Sequence, residues 1–426
     1  MADRGAGTTN GECPAITEPD GFLPSENEVF PISGRRFQEE FDEDIRATLD
    51  LNTWSVGSDL HQEYRRIERE VGEAERLECI QEKKIRQELF PLLAKLPNMP
   101  PNAGAHQADP EAIRAIHRGL LFNGGVEACD GTIQIHDSLP LTIYQIGVSL
   151  VSYRGDQGTW AQRLFRRDLR QKGAEVEEWI EFLERRANRD PSTRPPGEEG
   201  LGALVQKALL DYAERAILLR RSQSVWRIGH GNPITYELLT GGGNLELMVE
   251  ATRMLRELLE NHQKVVFISN EPRDRLFLTI GQALRPMEYA IVGRLDDRLK
   301  TWIHQERFTA GPSAMLSWDE ECVSPAEWIP RFLERVASKI VVGVFRATLL
   351  APTQVFYAHE DHSEIAAHLA LADCMLREQG TSLLLGIARH VCDSVFGDNL
   401  EMLASSAYAA AGAYRRGFSA RSRRIR

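Results

Sequence analysis

Two strand-like segments in close succession place the strongest constraint on how this chain can fold. Residues 126–135 and 141–153 are rich in Val, Ile and Tyr, and a short turn at residues 136–140 separates them. Residues of these types favour strands, and a link this short usually joins antiparallel neighbours. The sequence therefore predicts a sheet that contains this antiparallel pair.

The order of the remaining elements predicts what surrounds the pair. Further strands are predicted at residues 225–228, 264–269, 289–292, 339–350 and 354–358, and helices near 110–119, 173–188, 201–221, 245–261, 273–284 and 363–411. Strands come early, then alternate with helices, and helices close the chain. This order is typical of an α/β fold with one mixed central sheet and helices on its faces.

Composition argues against several classes of protein. The chain contains no run of about 18 apolar residues, so no membrane helix is predicted. The polar amino terminus lacks the apolar core of a signal peptide, which favours the cytoplasm. The six cysteines form no CxxC pair, which argues against a zinc finger.

The distribution of charge keeps DNA open as a partner. The net charge is −11, but residues 1–104 hold 21 acidic and 12 basic residues, while the remainder holds 41 acidic and 39 basic residues. Most of the acidic excess therefore lies in the first quarter of the chain. The larger part is nearly neutral and can carry local basic patches.

A helical pattern precedes the predicted sheet. Apolar residues recur at helical spacing from Ser58 to Phe90 among many charged residues, and the segment Leu96–Gly104 ends the pattern. We therefore expect a mobile amino terminus and helical extension at residues 1–105 and one domain at residues 106–426. The helix is either a solvated helix packed along one stripe, or a docking helix for a partner or a second copy.

Asp130 is the sharpest local feature. It lies within an otherwise apolar predicted strand and shares one face with Val126, Ala128 and Thr132. A carboxylate buried in such a strand is costly unless it binds a cation or a hydrogen-bond donor. Gly131 beside it leaves room for the close approach of a phosphate. The alternative is an ordinary Asp-Gly turn at the end of a strand.

Four other features are candidates for a site. The loop Gly229–Pro233 flanks His230 with glycines, and a plain turn is the alternative. Residues His359–His362 place two histidines three apart, which differs from the HExxH spacing and favours a solvated loop. The run Gly241–Gly243 lacks a following Lys-Ser/Thr and is no P-loop. Asp373, an acid on a mostly apolar helix, is a better candidate.

Two groups of arginines suggest contact with nucleic acid. The guanidinium group suits phosphate, although a solubilising tail and a solvated helix face are equally simple interpretations. The candidate DNA-binding residues are Arg163, Arg166, Arg167, Arg170, Arg415, Arg416, Arg421, Arg423, Arg424 and Arg426.

Taken together, these segments resemble the NurA family of nucleases across residues 106–426. The segments that carry the resemblance, in chain order, are Asp130–Thr132, similar to the family's DGS motif; Leu141–Tyr153, similar to the strand after it; Glu214, at the place of a helical glutamate; His230–Pro233 with Tyr236–Leu239, similar to the second DG-x-L/P motif; and Tyr408–Gly412 with Ser419–Arg424, similar to the arginine-rich ending. Residues 1–105 lie outside the resemblance.

The resemblance implies an RNase H-like sheet and a Mn²⁺-dependent (or Mg²⁺-dependent) nuclease that acts on DNA as a single-strand endonuclease and as an exonuclease. It further implies a homodimer and a hexameric HerA-type ATPase as partner. Asp130 would be a metal ligand, and Glu214 would be a second ligand or would hold a water on the metal. His230 stands where the family has its second aspartate and would bind the metal through its imidazole, and Asp373 would be a further ligand that supplies a compensating carboxylate.

Three functions follow as alternatives. The first is a nuclease that acts with a DNA-translocating ATPase in DNA end processing or in defence against foreign DNA. The second is a catalytically weakened, NurA-like adaptor that docks on the ATPase and guides DNA, because His230 removes a negative charge from the site. The third is a helical scaffold protein with no role on DNA.

Overall fold

A computed structural model of the chain describes most of its residues. The described ranges are 34–54, 60–137, 141–156, 161–168, 204–270, 272, 274–296, 299–300, 315–318, 321–396, 399–413 and 421–425. The predicted helix at 173–188 lies outside them. By contacts between residues, the chain divides into two compact units, Met1–Leu77 and Glu78–Arg426. The division falls inside a helix, earlier than the predicted boundary after residue 105.

The described helices and strands follow the predicted order in most places. The helices are α1 Gly34–Phe41, α2 Ile45–Leu49, α3 Leu60–Lys84, α4 Phe90–Leu93, α5 Pro110–Ile116, α6 Leu210–Arg221, α7 Tyr236–Thr240, α8 Leu245–Arg256, α9 Arg275–Gln282, α10 Pro325–Arg335, α11 Ser363–Cys374, α12 Leu383–Phe396 and α13 Asn399–Ala410. The strands are β1 Gly104–Gln107, β2 Val126–Asp137, β3 Leu141–Ser152, β4 Gly155–Asp156, β5 Ala161–Asp168, β6 Trp226–His230, β7 Val265–Ser269, β8 Glu288–Arg294, β9 Leu316–Trp318, β10 Glu321–Val323, β11 Ile340–Arg346, β12 Gln354–His359 and β13 Arg421–Ile425.

One large mixed sheet organises the second unit. Its strand order is β1-β8-β11-β12-β7-β6-β2-β3-β4, with β5 paired to β3 and β13 paired to β2. Strand β6 runs parallel to both β2 and β7, and the other pairs in this sheet are antiparallel. The prediction of an α/β fold with a mixed central sheet is confirmed, as is the antiparallel pairing of β2 with β3. The closer prediction of an RNase H-like strand arrangement stays a prediction.

Helices cover both faces of the sheet because β2 alternates its side chains between two cores. Cys129 and Ile133 pack in the core formed with α6, α8, α9 and α10. Val126 and Ala128 pack in the core formed with α5, α11 and α12. Since neighbouring residues of a strand point to opposite faces, Asp130 faces the layer that contains α12.

The structure corrects the interpretation of both arginine-rich segments. Residues 161–168, for which a solvated helix face was one prediction, form strand β5, which pairs with β3. Residues 421–425, for which a solubilising tail was one prediction, form strand β13, which pairs with β2. Each segment is therefore fixed to the sheet by strand pairing, which its high arginine content did not indicate.

The helical extension begins and ends near the predicted residues. Helix α3 continues through a π-helical turn, Ile85–Leu89, into α4. Ile85, Phe90 and Leu93 are buried in the core of the second unit. There the guanidinium of Arg86 donates two hydrogen bonds, of 2.6 and 2.9 Å, to the carboxylate of Glu288 on β8. None of the described helices is long and apolar enough to cross a membrane.

Candidate active site

A break between two strand ladders interrupts the pairing along one edge of β2, and we call this break the opening. On one edge, β2 pairs with β3 along its length. On the other edge it pairs with β6 as far as Cys129 and with β13 from Ile133 onward. Asp130, Gly131 and Thr132 therefore lie between the ends of β6 and β13. The sheet opens at the Asp-Gly-Thr motif that the sequence singled out.

Asp130 is a buried acid at this opening. Its Oδ1 accepts a hydrogen bond of 2.9 Å from the backbone N–H of Gly131. Burial raises the pKa of Asp130, because the charged form loses its hydration, while the nearby charges of His230 and Arg389 and the Gly131 hydrogen bond act in the opposite direction. The structure thus holds a carboxylate where an ionised one is unfavourable without further positive charge.

Glu214 reaches the same stretch of β2 from α6, on the other face of the sheet. A Cβ atom built on Gly131 would lie 2.8 Å from Glu214 Oε1, so only glycine admits the carboxylate this close to the strand. Burial, followed by the charge of Asp130, raises the pKa of Glu214 well above its usual value. The Gly131 N–H lowers the pKa of both acids, so the two carboxylates meet at one amide group.

His230 stands at the rim of the opening. It is the last residue of β6, its side chain is 39% exposed, and its Nδ1 lies 4.0 Å from Asp130 Oδ1. Gly231 follows with φ +76°, a left-handed conformation that favours glycine and turns the chain away from the sheet. The structure therefore brings together His230 and Asp130, two of the residues that the sequence proposed for one site.

Arg215 connects Glu214 to the loop after His230, and sequence reasoning missed it. The guanidinium donates hydrogen bonds to the carbonyls of Pro233, at 3.0 Å, and Asn232, at 2.5 Å. Its Nη1 lies 3.5 Å from Glu214 Oε2. This buried arginine therefore positions both the loop and the carboxylate. The sequence signal that could have identified Arg215 was its position next to Glu214, since two charged residues on a buried helix face need partners.

Helix α12 supplies two further contacts that the sequence did not reveal. Cys392 Sγ donates a hydrogen bond of 3.3 Å to the carbonyl of Asp130. One turn earlier, the charge of Arg389 lowers the pKa of Asp130. Arg389 is half-buried and stands within the run LLLGIARHVCDSVF, where a lone arginine among apolar residues was the signal that could have drawn notice.

Comparison with known proteins gives distant structural likenesses only. No protein-family model and no curated protein matches the chain. The solved structures it resembles include NurA nucleases.

The NurA nuclease from Sulfolobus solfataricus is 10% identical, with 67% of this chain and 84% of that chain covered and a TM-score of 0.39. A second NurA structure is also 10% identical, with 81% and 97% covered and a TM-score of 0.37. NurA with manganese is 12% identical, with 66% and 88% covered and a TM-score of 0.34. The chemistry proposed below rests on the side chains of this chain.

Asp373 is held by donors that lie away from the opening, and its assignment as a compensating ligand stays a prediction. Its carboxylate accepts hydrogen bonds from Tyr153 Oη and Ser382 Oγ, both at 2.5 Å, and from the backbone N–H of Leu384. Leu384 is the second residue of α12, whereas Cys392, which contacts Asp130, lies two turns further along. At 1.5 Å per residue the two points are about 12 Å apart. Asp373 stabilises the junction of α11 with α12.

Two other segments that the sequence offered as candidates, His359–His362 and Gly241–Gly243, have structural roles. The His359–His362 segment is not the predicted solvated loop, because His359 is the buried last residue of β12 and Glu360–His362 forms a 3-10 turn. Glu360 forms ion pairs with Arg294 at 2.8 Å and Lys339 at 2.6 Å. Gly241–Gly243 forms a short 3-10 turn that ends α7. Neither segment contributes to the opening in β2.

The predicted DNA-binding arginines are placed in part. Arg163 is exposed on β5, and Arg166 and Arg167 follow it on the same strand. Strand β13 carries Arg421, Arg423 and Arg424 at positions that pair with Asp137, Ile135 and Gln134 of β2. The remaining residues, Arg170, Arg415, Arg416 and Arg426, lie outside the described part of the chain.

The residues at the opening fit a divalent cation by charge and by donor type. The charge of Asp130 raises the pKa of the buried Glu214 carboxyl, a penalty that a bound cation would relieve, and an imidazole stands beside Asp130. Carboxylate and imidazole donors both suit manganese. The described residues contain no group of three or more His, Cys, Asp or Glu side chains already arranged around a metal. The fit therefore rests on the acidic pair.

Proposed function

We propose that this protein is a metal-dependent DNA nuclease whose site is the opening in β2. The observation that carries the proposal is the meeting of Asp130 and Glu214 at the amide of Gly131. Proteins seldom bury two carboxylates together without a cation, because each penalises ionisation of the other. Divalent cations bound by carboxylates are used in phosphodiester hydrolysis.

Asp130 and Glu214 would hold the cation, and Mn²⁺ or Mg²⁺ are the ions that their oxygen donors favour. When bound, the cation neutralises charge on the scissile phosphate and lowers the pKa of the attacking water. The Gly131 amide keeps the Asp130 carboxylate oriented. His230, 4.0 Å from Asp130 at the rim of the opening, would accept or return a proton.

Positive charge from α12 and the neighbouring strand complements this arrangement. Arg389 acts electrostatically on Asp130 and is available to hold the phosphate against the acidic pair. The basic strand β13 pairs with β2 directly beside the opening. We infer that DNA reaches the site along β13 and β5, where the arginines contact the backbone.

The proposed setting is work with a HerA-like hexameric ATPase, in DNA end processing or in defence against foreign DNA. A motor that translocates DNA would feed strands to the nuclease. We propose a homodimer as the working form and the cytoplasm as its location. These parts of the proposal follow from the resemblance of the sequence to the NurA family.

A catalytically weakened adaptor is the second candidate, and His230 is the observation that favours it. A neutral imidazole at this position provides less negative charge to a hard cation than an aspartate would. The adaptor would bind DNA and the ATPase without cutting.

A nuclease assay on the purified protein tests the proposal. Single- and double-stranded DNA should be cut with Mn²⁺ and left intact with EDTA. Asp130→Asn should lower cutting at least about 100-fold while DNA binding persists, because the change removes a charge that holds the cation.

Glu127→Gln is a matched control on the same strand, since the Glu127 carboxylate is buried but accepts hydrogen bonds from Ser222, Gln223 and Ser224. It should cut like the parent once corrected for the folded fraction. An Asp130→Asn variant that cuts normally would refute the site. A parent that binds DNA and never cuts would establish the adaptor.

A further inference from the structure

Helix α3 carries a row of exposed apolar side chains. Leu60, Tyr64, Ile67 and Val71 follow each other at spacings of four and three residues and are 44 to 60% exposed. This spacing places them on one side of the helix, and Ala74 extends the row. We name these five residues the apolar stripe. No residue of α3, as far as the structure describes it, is buried.

Acidic residues border the apolar stripe on both sides. At 100° per residue, Glu63 and Glu70 lie along one border and Glu68 and Glu75 along the other. Arg66 is engaged by the first border, at 3.6 Å from Glu63 and 2.9 Å from Glu70.

The arginines of α3 other than Arg66 lie on the face opposite the stripe. They are Arg65, Arg69 and Arg76, and the last two donate hydrogen bonds to carbonyls of their own helix. A partner that approaches the stripe therefore meets apolar surface between two acidic borders.

This pattern disfavours a second copy of the same helix. In a parallel pair, Glu63 would face Glu68 of the second copy and Glu70 would face Glu75, because the borders occupy the g and e positions of a heptad. In an antiparallel pair, each acidic border would face its own counterpart. Like charges at these positions destabilise helix pairing. The same borders repel an anionic lipid surface.

We propose that the apolar stripe of α3 is the docking site for an amphipathic helix of a different protein, with Lys or Arg beside its own apolar residues. The apolar contacts would supply the attraction and the four glutamates would select the basic partner. The inference is independent of the nuclease proposal, since it rests on the first compact unit and on the chemistry of one helix.

The test uses the full-length protein and two synthetic helical peptides with the same Leu/Ile stripe. One peptide has Lys at its border positions, and the other has Glu. At low salt, fluorescence anisotropy should show that the Lys peptide binds about tenfold more tightly than the Glu peptide. High salt should reduce this difference in affinity. Vesicles of anionic lipid should not bind.

Ile67→Ser with Val71→Ser should abolish binding of the Lys peptide. The matched control is Arg69→Ser with Arg76→Ser, which introduces as many serines on the opposite face and should leave binding in place. Circular dichroism checks that both variants keep the helix. Loss of binding in both variants alike would attribute the effect to the helix rather than to the stripe, and would overturn the proposal.

Reversal of the borders gives the sharper result. The variant Glu63→Lys, Glu68→Lys, Glu70→Lys, Glu75→Lys should prefer the Glu peptide. Equal binding of both peptides by the parent, or an unchanged preference in the reversed variant, would refute selection by charge. A parent dimer that light scattering shows to dissociate in Ile67→Ser with Val71→Ser would assign the stripe to a second copy instead.

Discussion

Two buried acidic centres of this protein differ in what surrounds their carboxylates. Asp373 accepts hydrogen bonds from two hydroxyl groups and a backbone N–H, and among the residues that the structure describes no second acid raises its pKa. Asp130 has one backbone donor and lies next to another buried acid, Glu214. Burial raises the pKa at both centres, but only at Asp373 do several neutral donors offset it.

The difference separates a structural acid from a candidate catalytic one. An acid that stabilises a fold is surrounded by donors, because an unsatisfied buried charge is costly. A buried acid beside a second acid is stabilised in its ionised form when a cation binds. The contrast predicts that a neutral substitution lowers cutting at the Asp130 centre and lowers stability at Asp373, and four experiments test this.

The largest effect is expected at Glu214. Glu214→Gln keeps the size of the side chain but removes one of the two charges that attract the cation, so cutting should fall at least about 100-fold. The rate of cutting at saturating DNA measures this. The folded state should survive, and a variant that is folded and fully active would place the catalytic cation elsewhere.

Asp373→Asn should act on stability instead. The new side-chain amide has one acceptor oxygen where the carboxylate had two, so one of the groups that donate to Asp373 loses its hydrogen bond. The free energy of unfolding should therefore fall by about 1–3 kcal/mol. Urea denaturation measures the change. Folded protein corrected for concentration should cut DNA as the parent does. A loss of cutting without a loss of stability would return Asp373 to the active site.

His230 should have an intermediate effect on cutting. His230→Ala removes the imidazole 4.0 Å from Asp130, and we expect a loss of about tenfold. His230→Asp restores a carboxylate and should retain activity or tighten Mn²⁺ binding, which titration calorimetry can measure. If the alanine and aspartate variants both match the parent, His230 has no part in the chemistry.

The smallest effect concerns the metal-free protein. Because the folded-state pKa of Asp130 is raised, its contribution to stability is present below about pH 4 and is lost as the pH rises through the raised value. In EDTA at pH 8, Asp130→Asn should therefore be more stable than the parent by about 1–2 kcal/mol.

The advantage of Asp130→Asn should shrink as the pH falls through the raised pKa of Asp130, because the parent carboxyl then becomes neutral as well. Mn²⁺ should raise the thermal midpoint of the parent but not of the variant. Since Glu214 must release its proton to bind a cation, Mn²⁺ affinity should rise with pH. A variant less stable than the parent in EDTA would show that Asp130, like Asp373, serves the fold.

Sequence reasoning recovered the features that local pattern encodes. The antiparallel pair β2 and β3, the long helix α3 and the mixed sheet all follow from the spacing of apolar residues. Asp130 was visible because one acid interrupts an apolar strand. Sequence reasoning did not predict strands β5 and β13. Both are rich in arginine, and they are strands because they pair with β3 and β2 rather than because of an apolar pattern of their own.

The sequence by itself determined which side chains β2 presents to each face, because alternation along a strand is a local property. Only the tertiary structure decided that β6 and β13 end on either side of Asp130, and that Glu214 approaches Gly131 from the opposite face. It also decided that Asp373 receives donors instead of a second acid. The reason is that burial and charge neighbours arise from contacts between segments far apart in the chain, and no local period records them.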